Sequence, residues 1–340
     1  MSSPSATTQP SPVLFFETIN AYQRTAALKT ALELNLFTTI GEGAATAPEL
    51  ARRCQAAERG IRILCDYLVV VGFLTKDGNR YGLTPDTATF LDRRSPAYLG
   101  GTIGFLGSPM LTGGFQDLTA TVRKGGTVLS AEGLLAPEHP MWVEFARCMM
   151  PLMALPAELM AKLLEADRGD RWKVLDIAAG HGVFGITLAR HNPNAEIVAL
   201  DWANVLEVAK ENAKAAGVAD RYSTLPGSAF EAHYGEGYDI VLLTNLLHHF
   251  DAPTCEKLLR KVHAALKPGG RAAILEFVPN DDRTSPPIPA SFALIMLSNT
   301  PAGDAYTFRE YQQMLRNAGF ESSEIHPLPP TFQHLAIGRK

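Results

Sequence analysis

From residue 173 onward, apolar runs of strand length alternate with helical stretches, and this alternation constrains the fold more tightly than any other feature of the 340-residue chain. Residues 173–177, 197–200, 238–244 and 271–277 read as strands, and residues 205–216 and 252–266 as helices. Strands that are apolar on both faces and joined by helices hide their surface in a mostly parallel sheet covered on both sides. An α/β domain with a doubly wound sheet is therefore predicted over residues 171–340.

The turn after the first of these strands carries Gly180, Gly182 and Gly185 in the spacing Gly-x-Gly-x-x-Gly. Glycines so placed let the backbone turn sharply into a helix and approach a ligand closely. Asp201 ends the next strand about 20 residues on, where a carboxylate can accept hydrogen bonds from both hydroxyls of a ribose. Dinucleotides and adenosyl-sulfonium cofactors both use this arrangement, and Asp176, ahead of the glycines, discriminates between them. Its charge is unhelpful beside a pyrophosphate but can bind, directly or through water, a ligand that carries an ammonium group. S-adenosylmethionine is favoured over NAD.

Upstream, residues 13–96 form a separate helical region. Phe16, Ile19, Tyr22, Ala26 and Leu32 recur at helical spacing, residues 47–51 and 59–71 read as helices, and residues 73–83 read as a hairpin turning at Asp77-Gly78. This is a winged-helix outline, yet residues 1–95 hold ten Lys or Arg against nine Asp or Glu, and the whole chain is at −4, which is no footprint for nucleic acid. Residues 97–170 look helical, with breaks at Gly100-Gly101, Gly113-Gly114 and Gly125-Gly126, and form a linker that contributes to a substrate pocket. A hydrophobic content of 46% against 19% charged residues supports a large core. The most apolar run, residues 67–74, is far short of the roughly 20 residues needed to cross a membrane, and no signal peptide is visible. Cys54, Cys65, Cys148 and Cys255 lack metal-ligand spacing and read as reduced thiols, so a cytoplasmic protein is expected.

With these residues in view, the chain resembles the class I S-adenosylmethionine-dependent methyltransferases over residues 13–340. The resemblance is specifically to small-molecule O-methyltransferases with an N-terminal winged-helix dimerisation domain. It implies a Rossmann-like catalytic domain whose mostly parallel sheet ends in a C-terminal antiparallel hairpin, preceded by a mostly helical domain that pairs two copies of the chain. It assigns Asp176, Gly180, Gly182, Asp201, Trp202 and Thr244 to the cofactor, with S-adenosylhomocysteine as the product left behind. The family's Gly-Asp-x-Phe motif reads Gly227-Ser228-Ala229-Phe230, so Ser228, Ala229 and Phe230 face the adenine, with a hydroxyl where the family has a carboxylate.

The same resemblance places the general base at His248, within Leu247-His248-His249-Phe250, and its supporting acid at Glu276. His249 stands where the family has Asp and reads as a hydrogen-bonded structural histidine, since adjacent residues rarely face one cleft. The family's second acid is missing: Ala305 takes its position, with Asp304 beside it. Ionising a phenol of pKa near 10 at pH 7 costs about 4 kcal/mol, and general-base catalysis supplies about 3 to 5 kcal/mol, so one positioned histidine suffices. Met149, Met153, Phe292 and Met296 are expected to wall a flat, apolar acceptor, near Trp142, Phe145 and Met150. No metal is expected, because the third strand ends in Thr244, Asn245 and two histidines with no acid before Asp251. Methylation of carbon or nitrogen, or a cofactor-sensing regulator, remain the alternative readings.

Overall fold

The computed structural model describes residues 9–129 and 138–340, and the chain divides into two compact units between Ile103 and Gly104. The first contains helices α1 (Val13–Ile19), α2 (Ala21–Glu33), α3 (Leu36–Gly41), α4 (Ala47–Arg53) and α5 (Glu58–Val70), the hairpin β1 (Leu74–Asp77) and β2 (Arg80–Leu83), and α6 (Pro85–Phe90). Local chemistry sets these boundaries. Thr46 and Glu49 close a capping box on α4, Thr84 and Thr87 do so on α6, and a proline opens each first turn. Gly78 sits at φ +57° in the first central position of the two-residue hairpin turn, a conformation that favours glycine.

Leu36, Phe37, Leu50, Ile61, Cys65 and Leu68 form the core of this unit. The periodic apolar face of the first helices behaves differently. No residue of α1 is buried, and Val13, Leu14, Phe15, Phe16, Ile19 and Tyr22 are all exposed, Leu14 to 75%. The spacing that predicted a buried bundle face here marks a surface instead.

The second unit carries α8 (Pro109–Gly113), α9 (Leu118–Lys124) and the long α10 (Pro140–Leu163), with α7 (Ile103–Leu106) at the division. It continues through β3 (Trp172–Ile177), α11 (Val183–His191), β4 (Ala195–Asp201), α12 (Ala203–Ala215), β5 (Tyr222–Pro226), β6 (Tyr238–Thr244), α13 (Ala252–Ala265) and β7 (Leu266–Glu276). It closes with α14 (Pro287–Asn299), α15 (Phe308–Asn317), β8 (Ser322–Pro327) and β9 (His334–Arg339). The seven strands are ordered β5-β4-β3-β6-β7-β9-β8, parallel from β5 to β7, with β9 antiparallel to both β7 and β8. Strand order reverses at β3, so the crevice beyond the carboxyl ends of β3 and β6 is where such a sheet takes ligands.

Successive residues of β6 face opposite layers, as a strand requires. Ile240 and Leu242 join Met160, Leu188, Ile197 and Ile337, whereas Val241 and Leu243 join Leu175, Leu258, Leu259 and Leu315. With Leu242 fully enclosed in the central sheet, Leu242→Ala is expected to cost about 2 to 5 kcal/mol of unfolding free energy, read by urea denaturation. A loss below about 1 kcal/mol would contradict this packing.

Candidate active site

The loop from β3 to α11 is built from backbone conformations that favour glycine. Gly180 and Gly182 have φ of +58° and +74°, and a Cβ on Gly182 would lie 2.5 Å from the Tyr222 hydroxyl. At Gly185 a Cβ would meet Ile197 Cγ2 at 2.8 Å and Asp176 Oδ2 at 3.0 Å, so the third glycine lets α11 pack closely on the sheet. Asp201, half-buried at the end of β4, ties the loop down: Oδ2 accepts from Gly180 N at 2.8 Å and Oδ1 from Trp202 N at 2.7 Å. Burial lifts its carboxyl to about 6 against the pull of those two N–H groups. A carboxylate with two oxygens and unused lone pairs, beside a loop too tight for side chains, fits the hydroxyls of a ribose and the backbone contacts of an adenosyl ligand.

Asp176, expected to meet an ammonium group directly or through water, is more deeply placed than Asp201. Its carboxylate is completely enclosed beneath the loop, where Oδ2 accepts from Gly185 N at 3.2 Å and Oδ1 has no partner. It holds the start of α11 through that Gly185 bond. Ser228 is also engaged locally, its hydroxyl accepting from Phe230 N at 3.2 Å, while Ala229 and Phe230 remain half-buried and Phe230 packs edge-on against Phe250 at 5.0 Å. Trp202 opens α12, half-buried against Ala146 and Val205, and Thr244 is buried at the end of β6.

His248 and Glu276 form a buried dyad. His248 Nδ1 lies 2.6 Å from Glu276 Oε2, and Glu276 Oε1 accepts from Leu247 N at 2.9 Å and from His248 N at 3.4 Å. The histidine backbone is clamped as well: Asp304 N donates to His248 O at 3.0 Å, and Gly303 packs so closely that any Cβ there would collide with the same oxygen. A carboxylate on Nδ1 fixes the tautomer that leaves the Nε2 lone pair free to accept a proton. Asp304 takes no part in this, since its carboxylate pairs with Arg283 at 3.0 Å, and Ala305 is buried.

His249 corrects a second expectation. Its Nδ1 is enclosed without a hydrogen-bond partner, and its ring lies 4.3 Å from the His248 ring and 5.5 Å, edge-on, from Trp142. The tight turn Leu247–His249 brings the two adjacent imidazoles together, and burial, aided by His248, holds His249 well below the usual histidine range. Around the dyad, Phe292 meets the His248 ring edge-on at 4.9 Å and stacks on Phe277 at 4.4 Å. Met149 and Met153 are buried on α10 and Met296 on α14. Sequence reasoning passed over Tyr222, Gly303, Gln333 and His181, the last stacked on Phe145 at 6.2 Å; only Gly303 carried a signal, as a glycine beside a site position.

Burial, opposed by the Gly185 N–H, lifts Asp176 from 3.8 to about 7, so the folded chain holds this proton more tightly than the unfolded one. The contribution is whole at low pH and is lost as pH rises through about 7. Asp176→Asn should therefore flatten the fall in unfolding free energy of the ligand-free protein between pH 4 and pH 7, by on the order of a few kcal/mol. Urea denaturation across that range checks it, and an unchanged slope would contradict the burial argument.

Known proteins resemble this chain over both of its units. Residues 115–321 match the O-methyltransferase domain and residues 16–93 the O-methyltransferase dimerisation domain. The chain is 29% identical over 314 residues to 3-hydroxy-5-methyl-1-naphthoate 3-O-methyltransferase of Streptomyces sahachiroi, covering 91% of this chain and 89% of that protein. It is 28% identical over 320 residues to L-tyrosine C(3)-methyltransferase of Streptomyces lavendulae, covering 91% and 84%. A candidate O-methyltransferase of Nostoc punctiforme, solved by crystallography, is 57% identical, with 98% of this chain and 100% of that one covered at a TM-score of 0.95. Since the O-methyltransferase domain alone matches more than half of its length and the dimerisation domain precedes it, the chain belongs to the S-adenosylmethionine-dependent O-methyltransferase family.

Proposed function

We propose that the protein moves the methyl group of S-adenosylmethionine to a hydroxyl on a small aromatic acceptor, with His248 as general base and Glu276 as its orienting partner. The observation that carries this reading is the 2.6 Å contact between His248 Nδ1 and Glu276 at the carboxyl edge of the sheet. S-adenosylmethionine, when bound, supplies a methyl group on a positively charged sulfur. Asp201, Gly180, Gly182 and Trp202 hold its adenosyl part, and Thr244, Ser228, Ala229 and Phe230 border it. His248 Nε2 takes the proton of the acceptor hydroxyl as that oxygen becomes nucleophilic, and Glu276 stabilises the charge that builds on the ring. Met149, Met153, Phe292 and Met296 restrict the acceptor to a flat, apolar shape and hold its oxygen in line with the methyl group.

Methylation at a ring carbon beside the hydroxyl is a second reading, favoured by the relative from Streptomyces lavendulae that is named for tyrosine carbon methylation. It uses the same proton abstraction, and the structure of the product separates the two. No group of three His, Cys, Asp or Glu suited to a metal ion occurs among the described residues, and no helix among them is long and apolar enough to cross a membrane. The four free cysteines fit a reducing, cytoplasmic setting. The exposed apolar face of α1, which runs into the stretch matched to the dimerisation domain from residue 16, supports a homodimer.

His248→Ala should lower kcat by about 10² or more while the Kd for S-adenosylhomocysteine holds, measured by radiolabel transfer and calorimetry. Unchanged turnover would remove His248 as the base. Leu14→Asp with Phe15→Asp should convert a dimer to a monomer in sedimentation equilibrium, and a dimer that persists would place the interface elsewhere.

A further inference from the structure

At the same sheet edge as the dyad, two carboxamides converge on one thioether. Asn245, just past β6 with φ +54°, donates from Nδ2 to Met153 Sδ at 3.5 Å, and Gln333, just before β9, donates from Nε2 to the same sulfur at 3.5 Å. Gln333 is 4% exposed, and Asn245 Oδ1 is enclosed with no hydrogen-bond partner. A thioether is a weak acceptor. Two amide donors sharing one sulfur, beside an unpaired amide oxygen, leave hydrogen-bonding capacity unused in a buried place, where it is costly. Such donors fit a ligand oxygen better than they fit Met153.

The cluster lies close to the His248–Glu276 pair in the fold. Asn245 is three residues before His248, and its N–H donates to Leu275 O at 2.8 Å, next to Glu276. His334, adjacent to Gln333, is the register partner of Glu276. Met153 is one turn beyond Met149 on α10. Both donors are neutral, and the nearby buried Glu276 carboxylate disfavours an acidic group, so the complement is a neutral carbonyl oxygen.

We propose that Asn245 and Gln333 form a carbonyl-recognition subsite that selects aromatic acceptors bearing a ketone or quinone oxygen in addition to the hydroxyl to be methylated. Met153 occupies the donors until the acceptor displaces its sulfur. This rests on the hydroxyl-methylation reading and names the acceptor class within it.

The test titrates 6-acetyl-2-naphthol and 6-ethyl-2-naphthol into the full-length protein saturated with S-adenosylhomocysteine, by calorimetry. Wild type should bind the ketone at least about tenfold more tightly. Gln333→Met, which keeps chain length and removes the donor, should reduce that preference to about twofold or less while the Kd for S-adenosylhomocysteine holds. Met153→Leu should keep the preference. Asn245→Gly, which suits the left-handed backbone, carries the same test if Gln333→Met fails to bind S-adenosylhomocysteine. Equal binding of the two naphthols by wild type, no binding of the ketone, or a preference that survives loss of the donors overturns the subsite. A ketone preference without methylation of either naphthol leaves the subsite standing and tells against the hydroxyl-methylation reading.

Discussion

The carboxylate of Glu276 joins two strand ends that would otherwise be independent. It sits at the last position of β7, almost fully enclosed, and receives the His248 ring together with the Leu247 and His248 backbone N–H groups from the loop after β6. Removing a carboxylate from water costs several kcal/mol unless hydrogen bonds and an opposite or potential charge compensate it. Here three donors do so, and all three belong to the turn that carries His248, the proposed base. The interaction that makes the carboxylate tolerable in the core is therefore the same one that fixes the histidine tautomer and its direction.

The rest of the site is arranged around that junction with deliberate local misfits. Asp176 and Tyr222 are buried with an unpaired oxygen each, His249 with an unpaired nitrogen, and Asn245 with an unpaired amide oxygen in a left-handed backbone conformation. Asp176 lies near the carboxyl end of β3, and Asn245 and His249 lie just past β6, whereas Tyr222 starts the edge strand β5. Unpaired buried atoms also occur elsewhere, on Thr121, Asn299, Tyr311 and His334, so the misfits are spread through the second unit. The exposed apolar face of α1 is a similar departure in the first unit, and the match to the dimerisation domain begins within that helix.

Much of this was legible from the residues. The strands through residues 173–177 and 238–244 are apolar on both faces and stand out by that alone, and Gly78, Gly180 and Gly182 announce turns because their backbone conformations exclude most other residues. Strand β5, half-exposed, and the edge strand β8, with no fully buried residue, carry too little apolar signal to be located by pattern. The complete burial of Asp176 was not legible, because spacing places a residue on a strand but does not say how deeply its carboxylate is enclosed. The nearness of His248 and His249 depends on a tight helical turn that the alternation rule for strands does not anticipate. Gln333 could not be linked to Asn245 at all, since only strand β9 returning antiparallel beside β7 brings them together.

The central claim is that Glu276 holds the proton side of His248 on Nδ1 and leaves Nε2 as the proton acceptor. The most direct test is the nitrogen-15 chemical shift of the two His248 ring nitrogens in labelled protein, assigned by comparison with His248→Ala, at the pH of greatest turnover. The account predicts a protonated Nδ1 and an unprotonated, pyridine-type Nε2. A proton resident on Nε2 under those conditions would contradict it.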